Sequence, residues 1–349
     1  MSARTRIAIV GYGLIGQRHA AVAGQIPGLL LAAVVDDDRD KRAVAARLGC
    51  NVHAGLADLL ADESPDGIIL ATPTAQHARQ ASLCIDAGIP TLIEKPIAAT
   101  VKEARAVVRA AESVQIPLLI GHHRRYNGIV AAAKTAINSG LIGEMRAVHA
   151  TCWLAKPPQY FLDQPWRQGP AAGPVSVNLV HDVDLLRVLC GEVACVKAMA
   201  TPSRRGHANH DLAAAVLQFR SGVIGTITVA DCVAAPWSWE MTSGENPAYP
   251  SINSSCYLFG GTRGSLSMPD LTLWRHSGPP DWMTPMSAER VPHQAGEPLH
   301  RQMTHFVDVL HRRVRPDVSG IEGLRSLEVI EAIRMASETD RTIMIDAGD

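Results

Sequence analysis

The stretch RIAIVGYGLIGQRHAAVAG, residues 6–24, decides the fold. It opens on an apolar, β-branched run, RIAIV (6–10), too continuous for a half-exposed strand and typical of a parallel strand covered on both faces. Gly11, Gly13 and Gly16 follow at GxGxxG spacing and open a stretch with helical periodicity. The first glycine permits a tight turn, the second lets the backbone approach a pyrophosphate, and the third lets helix and strand pack closely. Free N–H groups at the positive helix end then face the phosphates, which makes Gly11, Gly13, Leu14, Ile15 and Gly16 candidate cofactor contacts. Asp36 closes the next apolar run, LLLAAVV (29–35), 20 residues beyond Gly16. A carboxylate at that spacing accepts hydrogen bonds from a ribose. Asp37 and Asp38 add negative charge that repels a 2′-phosphate, so NAD is favoured over NADP; Arg39 is the one counter-signal.

Working outward, DGIILA (66–71), PTLIE (90–94) and PLLIG (117–121) repeat the buried-strand pattern. DKRAVAARL, AQHARQASLCIDAG and TVKEARAVVRAAESV between the runs read as crossover helices. The first 122 residues are therefore expected to form a doubly wound parallel sheet, a Rossmann α/β domain. The pattern then changes. A helix is expected near 127–139, a strand over EMRAVHATCWLA, and a largely loop segment over the Pro/Gly-rich KPPQYFLDQPWRQGPAAGP. SVNLVHDVDLLRVLCG has helical spacing. DLAAAVLQF and VIGTITVAD are joined by RSG, which predicts a hairpin. SSCYLFG, SLSMP and LTLWRH follow as strands, and helices near 299–313 and 321–337 close the chain. Consecutive strands imply a mostly antiparallel sheet, so residues 123–349 read as an α+β domain.

Composition bounds the function. Of 349 residues, 33 are Lys or Arg and 34 are Asp or Glu, a net charge of −1 that argues against nucleic acid or a polybasic membrane anchor. The length suits two domains, and 47% apolar with 19% charged residues excludes disorder. No apolar run reaches the ~18 residues of a membrane span. The basic start MSARTR leads straight into the first strand, so a cytoplasmic location is expected. Seven scattered cysteines without a CxxC pair support neither a disulfide framework nor a metal site.

Glu94-Lys95-Pro96 lies at the carboxyl end of a strand, where ligands collect in open α/β sheets. A lysine there can donate to a substrate hydroxyl, and the proline after it restrains the backbone that aims it. With GYGLIGQRH (11–19), VVDDD (34–38), ATPTAQH (71–77), IEKP (93–96), GHHRRYN (121–127), WR (166–167) and VHDVDLL (180–186), the chain resembles the Gfo/Idh/MocA family of NAD(P)-dependent oxidoreductases. The resemblance implies that Lys95 and His181 are catalytic, touching the reacting hydroxyl. It implies that Ala71, Thr72, Pro73, His77 and Glu94 line the cofactor channel and that His123 and Arg124 contact nicotinamide or substrate; Arg167 reaches cofactor or substrate, or else ties down its own loop. It also implies that residues 123–349 serve substrate binding and oligomerisation, with an open-faced sheet supplying much of the contact in a homodimer or homotetramer. A histidine suits the base because its unperturbed pKa lies near neutrality. Asp184, at i+3 from His181, reaches the same helix face.

The common family form has an aspartate four residues before this histidine; here Val177 stands there. Asn178, about 60° from His181 around a helix, can replace part of the hydrogen bonding but not the charge. Tyr160, Trp166, Arg167, Trp237, Trp239 and Tyr249 fall in two loop segments of a chain with only 4% aromatic residues. Aromatic faces suit a polyhydroxylated ligand, which marks Tyr160 and Trp166 as substrate contacts. The expected activity is hydride transfer between NAD and a secondary alcohol of a sugar, cyclitol or related polyol. Two other readings stay open: a non-catalytic NAD(P)-binding sensor, and a dehydrogenase of a non-sugar substrate such as a dihydrodiol.

Overall fold

The computed structural model describes residues 4–346; Met1 to Ala3 of the basic start, Ala347 to Asp349, and the side chain of Ala171 lie outside the description. The chain divides into two compact units, Met1–Tyr126 with Glu297–Leu327 and Asn127–Gly296 with Glu328–Asp349.

In the first unit β1 (Thr5–Val10), α1 (Leu14–Ala23), β2 (Leu29–Val35), α2 (Arg39–Ala46), β3 (Asn51–His53) and α3 (Leu56–Asp62) come first. They are followed by β4 (Gly67–Leu70), α4 (Thr74–Asp86), β5 (Thr91–Ile93), α5 (Val101–Ser113) and β6 (Leu118–Ile120). The strands pair in the order β3-β2-β1-β4-β5-β6, all parallel, the doubly wound sheet expected from the buried runs. Ile7, Ile9, Ile68, Ile69 and Leu70 are fully buried, as strands covered by helices on both faces must be. Helix starts are local: Asp38 caps α2 by accepting from the Asp40 N–H at 2.8 Å, and Thr100 with Glu103 forms a capping box on α5. Sequence reading gave 49–65 no elements, because β3 and α3 are too short to show a period.

The second unit contains α6 (Gly128–Asn138), β7 (Met145–Trp153), α7 (Pro158–Leu162), α8 (Pro174–Val177), α9 (Leu179–Cys190), β8 (Val193–Pro202), β9 (His210–Phe219) and β10 (Ile224–Ala230). α10 (Trp239–Thr242), β11 (Tyr257–Gly261), β12 (Gly264–Met268), β13 (Thr272–Arg275) and β14 (Ser287–Arg290) continue it. The chain closes with α11 (Pro298–Leu310), α12 (Gly320–Thr339) and β15 (Ile343–Met344). Its sheet runs β14-β13-β12-β11-β7-β10-β9-β8-β15. Neighbours are antiparallel except β7 and β10, which pair in parallel. Burial alternates along all of β9 and along β10 as far as Val229, so Ala213, Ala215, Leu217 and Ile227 face a core shared with Val130 of α6, Val183 of α9 and Ile333 of α12. The opposite face is open. The segment expected to be largely loop instead contains α7 and two 3-10 turns, Pro165–Gln168 and Pro170–Ala172, and runs into α8 at Pro174, each with proline in the first turn, where its missing N–H costs nothing.

A single boundary near 122 does not describe this division. The 3-10 turn His123–Tyr126 belongs to the first unit, and the chain re-enters that unit at Glu297. The cause is apolar: α11 buries Leu299, Met303 and Phe306 in the first core, and Val318 accepts from the Ile120 N–H at 2.8 Å, covering the β6 edge. Among the described residues no helix is long and apolar enough to cross a membrane.

Candidate active site

The glycine loop is built for close approach. Gly11 has φ +92°, and a Cβ on it would lie 2.7 Å from the Ala71 backbone, so the turns after β1 and β4 abut. A Cβ on Gly16 would lie 2.0 Å from the Gly11 carbonyl oxygen. Around Gly13, by contrast, an added Cβ would meet nothing within 4 Å, and α1 begins there without a side-chain cap. Open space over uncapped N–H groups is what a pyrophosphate requires. Gly11, Gly13, Leu14, Ile15 and Gly16 would hold it, with Leu14 84% exposed on the first turn. Asp36 is buried and pinned to the same loop: Oδ2 accepts from the Tyr12 N–H at 2.7 Å and Oδ1 from the Asp38 N–H at 3.0 Å. The residues present therefore fit NAD.

These glycines give a paired expectation. Gly16→Ala should cost about 3 kcal/mol or more, because overpacking against a backbone oxygen has no rotamer to relieve it. Gly13→Ala should melt like the wild type yet lose NADH affinity, since its methyl enters the space left for phosphate. Thermal unfolding and NADH fluorescence titration check both.

After β4, Ala71 is buried, the Thr72 hydroxyl donates to Gln80 Oε1 at 2.6 Å, and Pro73 precedes α4. His77 was expected to line the cofactor channel, but its ring is 1% exposed. Its two nitrogens lie 2.8 Å from the Thr72 and Pro96 carbonyl oxygens, so it ties the β4 turn to the segment carrying Lys95. Burial pushes its pKa down, and the two carbonyls oppose this.

Glu94, at the end of β5, is the electrostatic centre of this unit. Oε1 lies 2.8 Å from His19 Nε2 on α1, and Oε2 accepts from the Lys95 N–H at 3.2 Å. Burial alone would raise the carboxyl pKa. The His19 hydrogen bond, then the charges of His19, His123 and Lys95, outweigh it and hold the pKa at about 2. Gly121 makes room, since a Cβ there would lie 2.8 Å from Oε2. Lys95 itself is half-buried. His123 and Arg124 stand on the 3-10 turn after β6, Arg124 buried, while Arg125 pairs with Glu322 at 2.8 Å. His19 escaped sequence reasoning, although Gly16, His19, Ala20 and Ala23 trace one buried helical stripe and a histidine on such a stripe needs a partner.

In the second unit Asn178 sits between α8 and α9, its carbonyl accepting from the His181 N–H at 3.2 Å. His181, Asp182 and Asp184 are buried on α9, and the Tyr257 hydroxyl donates to Asp182. Val177 is half-buried. The aromatic residues divide. Trp239 is a core residue packed edge-on to Tyr257, while Trp237 packs on Trp153 at 5.6 Å. Tyr160 is half-buried and Trp166 is 58% exposed. Arg167 lies 3.9 Å over the Tyr160 ring and donates to the Tyr160 carbonyl at 2.7 Å, which fastens its own loop. The residue that sequence reasoning missed here is Lys156, whose Nζ donates to Asn178 Oδ1 at 2.7 Å.

A parallel sheet of order 3-2-1-4-5-6, a glycine loop open to phosphate and an acidic residue ending β2 define an NAD-binding oxidoreductase fold. Residues 5–122 match the oxidoreductase family model for an NAD-binding Rossmann fold, and residues 130–267 match the GFO/IDH/MocA C-terminal domain. The chain belongs to the GFO/IDH/MocA oxidoreductase family. It is 29% identical to inositol 2-dehydrogenase 1 of Saccharopolyspora erythraea, with 99% of this chain and 97% of that protein covered. It is 25% identical to D-apiose dehydrogenase of Paraburkholderia graminis, covering 97% and 89%. Among solved structures, an oxidoreductase from Agrobacterium radiobacter in complex with NAD+, L-tartaric acid and magnesium superposes with a TM-score of 0.83 at 21% identity, covering 98% of each chain. The WlbA dehydrogenase from Bordetella pertussis, in complex with NADH and UDP-GlcNAcA, gives 0.80 at 23%, covering 99% and 100%. At these identities the structural likenesses bear on the fold.

Proposed function

We propose that this chain oxidises a secondary alcohol of a sugar, cyclitol or related polyol, with NAD, when bound, supplying the hydride acceptor. Lys95 donates a hydrogen bond to the reacting hydroxyl oxygen, and His181 accepts its proton. Asn178 and Asp184 flank His181 on the substrate side with Tyr160 and Trp166, and His123 and Arg124 contact substrate or nicotinamide. The observation that carries this reading is the fixing of Lys95: its N–H is held by a buried carboxylate that is itself anchored to the cofactor helix through His19. That bond fixes the backbone from which the lysine projects at a sheet's carboxyl edge, where ligands collect. The kinship with inositol and apiose dehydrogenases supports a polyol as substrate.

We also assign the protein to the cytoplasm as a homodimer or homotetramer. All seven cysteines are free thiols, which suits a reducing compartment. The open sheet face carries the exposed apolar residues Met199, Val216, Ile224 and Leu258, which suits a subunit interface.

A reduction screen with NAD and NADP over inositols, aldoses, anhydrosugars and sugar acids tests the activity. NADH formation with at least one compound, and tighter binding of NAD than NADP, are expected. NADH binding with no reduction by any compound would leave a sensor instead, and a preference for NADP would overturn the role given to Asp36.

A further inference from the structure

Lys156 is a largely buried cation whose one ion pair among the described residues, with Asp231, is long and shared with a second cation. Its side chain is 10% exposed where the chain leaves β7. Among the described residues its direct hydrogen-bond partner is a neutral amide, Asn178 Oδ1. The carboxylate that approaches it, Asp231, stops at 4.0 Å and is already taken: Arg205 donates to Asp231 Oδ1 at 2.7 Å and to its carbonyl oxygen at 2.8 Å. Arg167 adds a second cation, with its Nε buried and lacking a partner among the described residues. Its guanidinium lies on the Tyr160 ring, over which the Lys156 ammonium also sits, at 4.8 Å. Lys156 and Arg205 thus share Asp231, Arg167 repels Lys156, and Glu240 attracts it without a direct bond, while the neighbouring carboxylate Asp211 accepts from the Arg204 N–H.

Burying an ammonium beside a neutral amide is unfavourable unless something else meets the charge. Burial pushes the Lys156 pKa down, and Asp231 and Glu240 do not restore it. Asn178 holds this ammonium at the start of the helix that bears His181 one turn later, next to Val177, where the chain presents an apolar residue.

We infer that Lys156, oriented by Asn178 and backed by Arg167, binds a carboxylate of the substrate, so that the polyol this enzyme oxidises is a hydroxy acid of the sugar-acid class. This rests on the dehydrogenase reading above and narrows it. Lys156 is a specificity residue; the hydroxyl chemistry stays with Lys95 and His181.

Calorimetry on the NADH-saturated protein tests the subsite without turnover. The probes are D-gluconate, D-galactonate, D-glucuronate and L-tartrate, each against its uncharged counterpart, the matched alditol, hexose or tetritol. At least one acid should bind, with its neutral counterpart weaker by about 10- to 100-fold, the worth of a charge-assisted hydrogen bond. Lys156→Met should weaken the acid by a similar factor while leaving NADH affinity and the neutral compound unchanged, and Lys156→Arg should recover part of the loss. Should Lys156→Met fail to fold, the wild-type comparison of acid with neutral compound still decides. Equal binding of acids and neutral counterparts, no binding of any acid, or acid binding undiminished in a folded Lys156→Met protein would each overturn the subsite. The two readings fail separately. Reduction of NAD by neutral polyols alone removes the acid subsite and leaves a dehydrogenase. Acid binding that depends on Lys156, with no reduction by any compound, removes the dehydrogenase and leaves the subsite.

Discussion

Replacing Lys95 by methionine is expected to lower kcat by about 1,000-fold or more while NADH affinity stays within about twofold. Methionine keeps much of the length and apolar stem of the lysine, so the half-buried site keeps its packing. What it removes is the ammonium that meets the reacting oxygen. A loss in kcat and kcat/KM together marks an interaction made in the transition state, whereas a rise in KM alone would mark ordinary binding. Steady-state kinetics on the best compound of the reduction screen, with NADH fluorescence alongside, measures both. Turnover near the wild-type value would refute the catalytic role of Lys95.

Glu94→Gln should have a large effect on stability that depends on pH. Removing one member of a fully buried pair leaves His19 without its carboxylate, at a cost of about 3 kcal/mol. The pH dependence has a definite sign. The folded pKa of Glu94, about 2, lies below the ordinary 4.5, so its ionised form stabilises the fold above about pH 4.5. That contribution is lost as pH falls from 4.5 towards 2. The stability gap between wild type and Glu94→Gln should therefore be constant above pH 4.5 and close below it. Urea unfolding at several pH values measures the gap; a gap that persists to pH 2 would show that packing, rather than charge, makes the difference. The glutamine should also lower kcat through Lys95, whose N–H then faces an uncharged oxygen. Glu94 is a positioning residue in this account.

The first unit was legible because each of its long signals is local. A strand buried on both faces writes a continuous apolar run, and a glycine loop writes its spacing in six residues. The same locality explains what stayed hidden. His19 and Glu94 are 75 positions apart, and nothing in either neighbourhood names the other. Lys156 and Asn178 meet across a proline-rich segment whose short turns carry no readable period. β8 was missed although it is ten residues long, because VACVKAMATP mixes small residues on both faces and its alternation shows only in burial. Trp239 was grouped with loop aromatics by its sequence neighbours, but the short α10 turns it into the core. His77 lies on α4 as the periodicity predicts, but two backbone carbonyls that no sequence pattern records turn its ring inward.

The return of the chain to the first unit sets a schedule for synthesis. Leu299, Met303 and Phe306 are 1% exposed or less within a core whose strands end at residue 120, and a Cβ on Gly67 of β4 would lie 2.7 Å from Leu310. β6 ends at residue 120 and α11 begins at residue 298, so the nucleotide-binding sheet leaves the ribosome well before its cover and stays open where α11 will lie until that helix has emerged. At roughly 5–20 residues per second this is an interval of about ten seconds or more in which an apolar sheet waits for its cover, the interval in which a nascent chain is most exposed to aggregation.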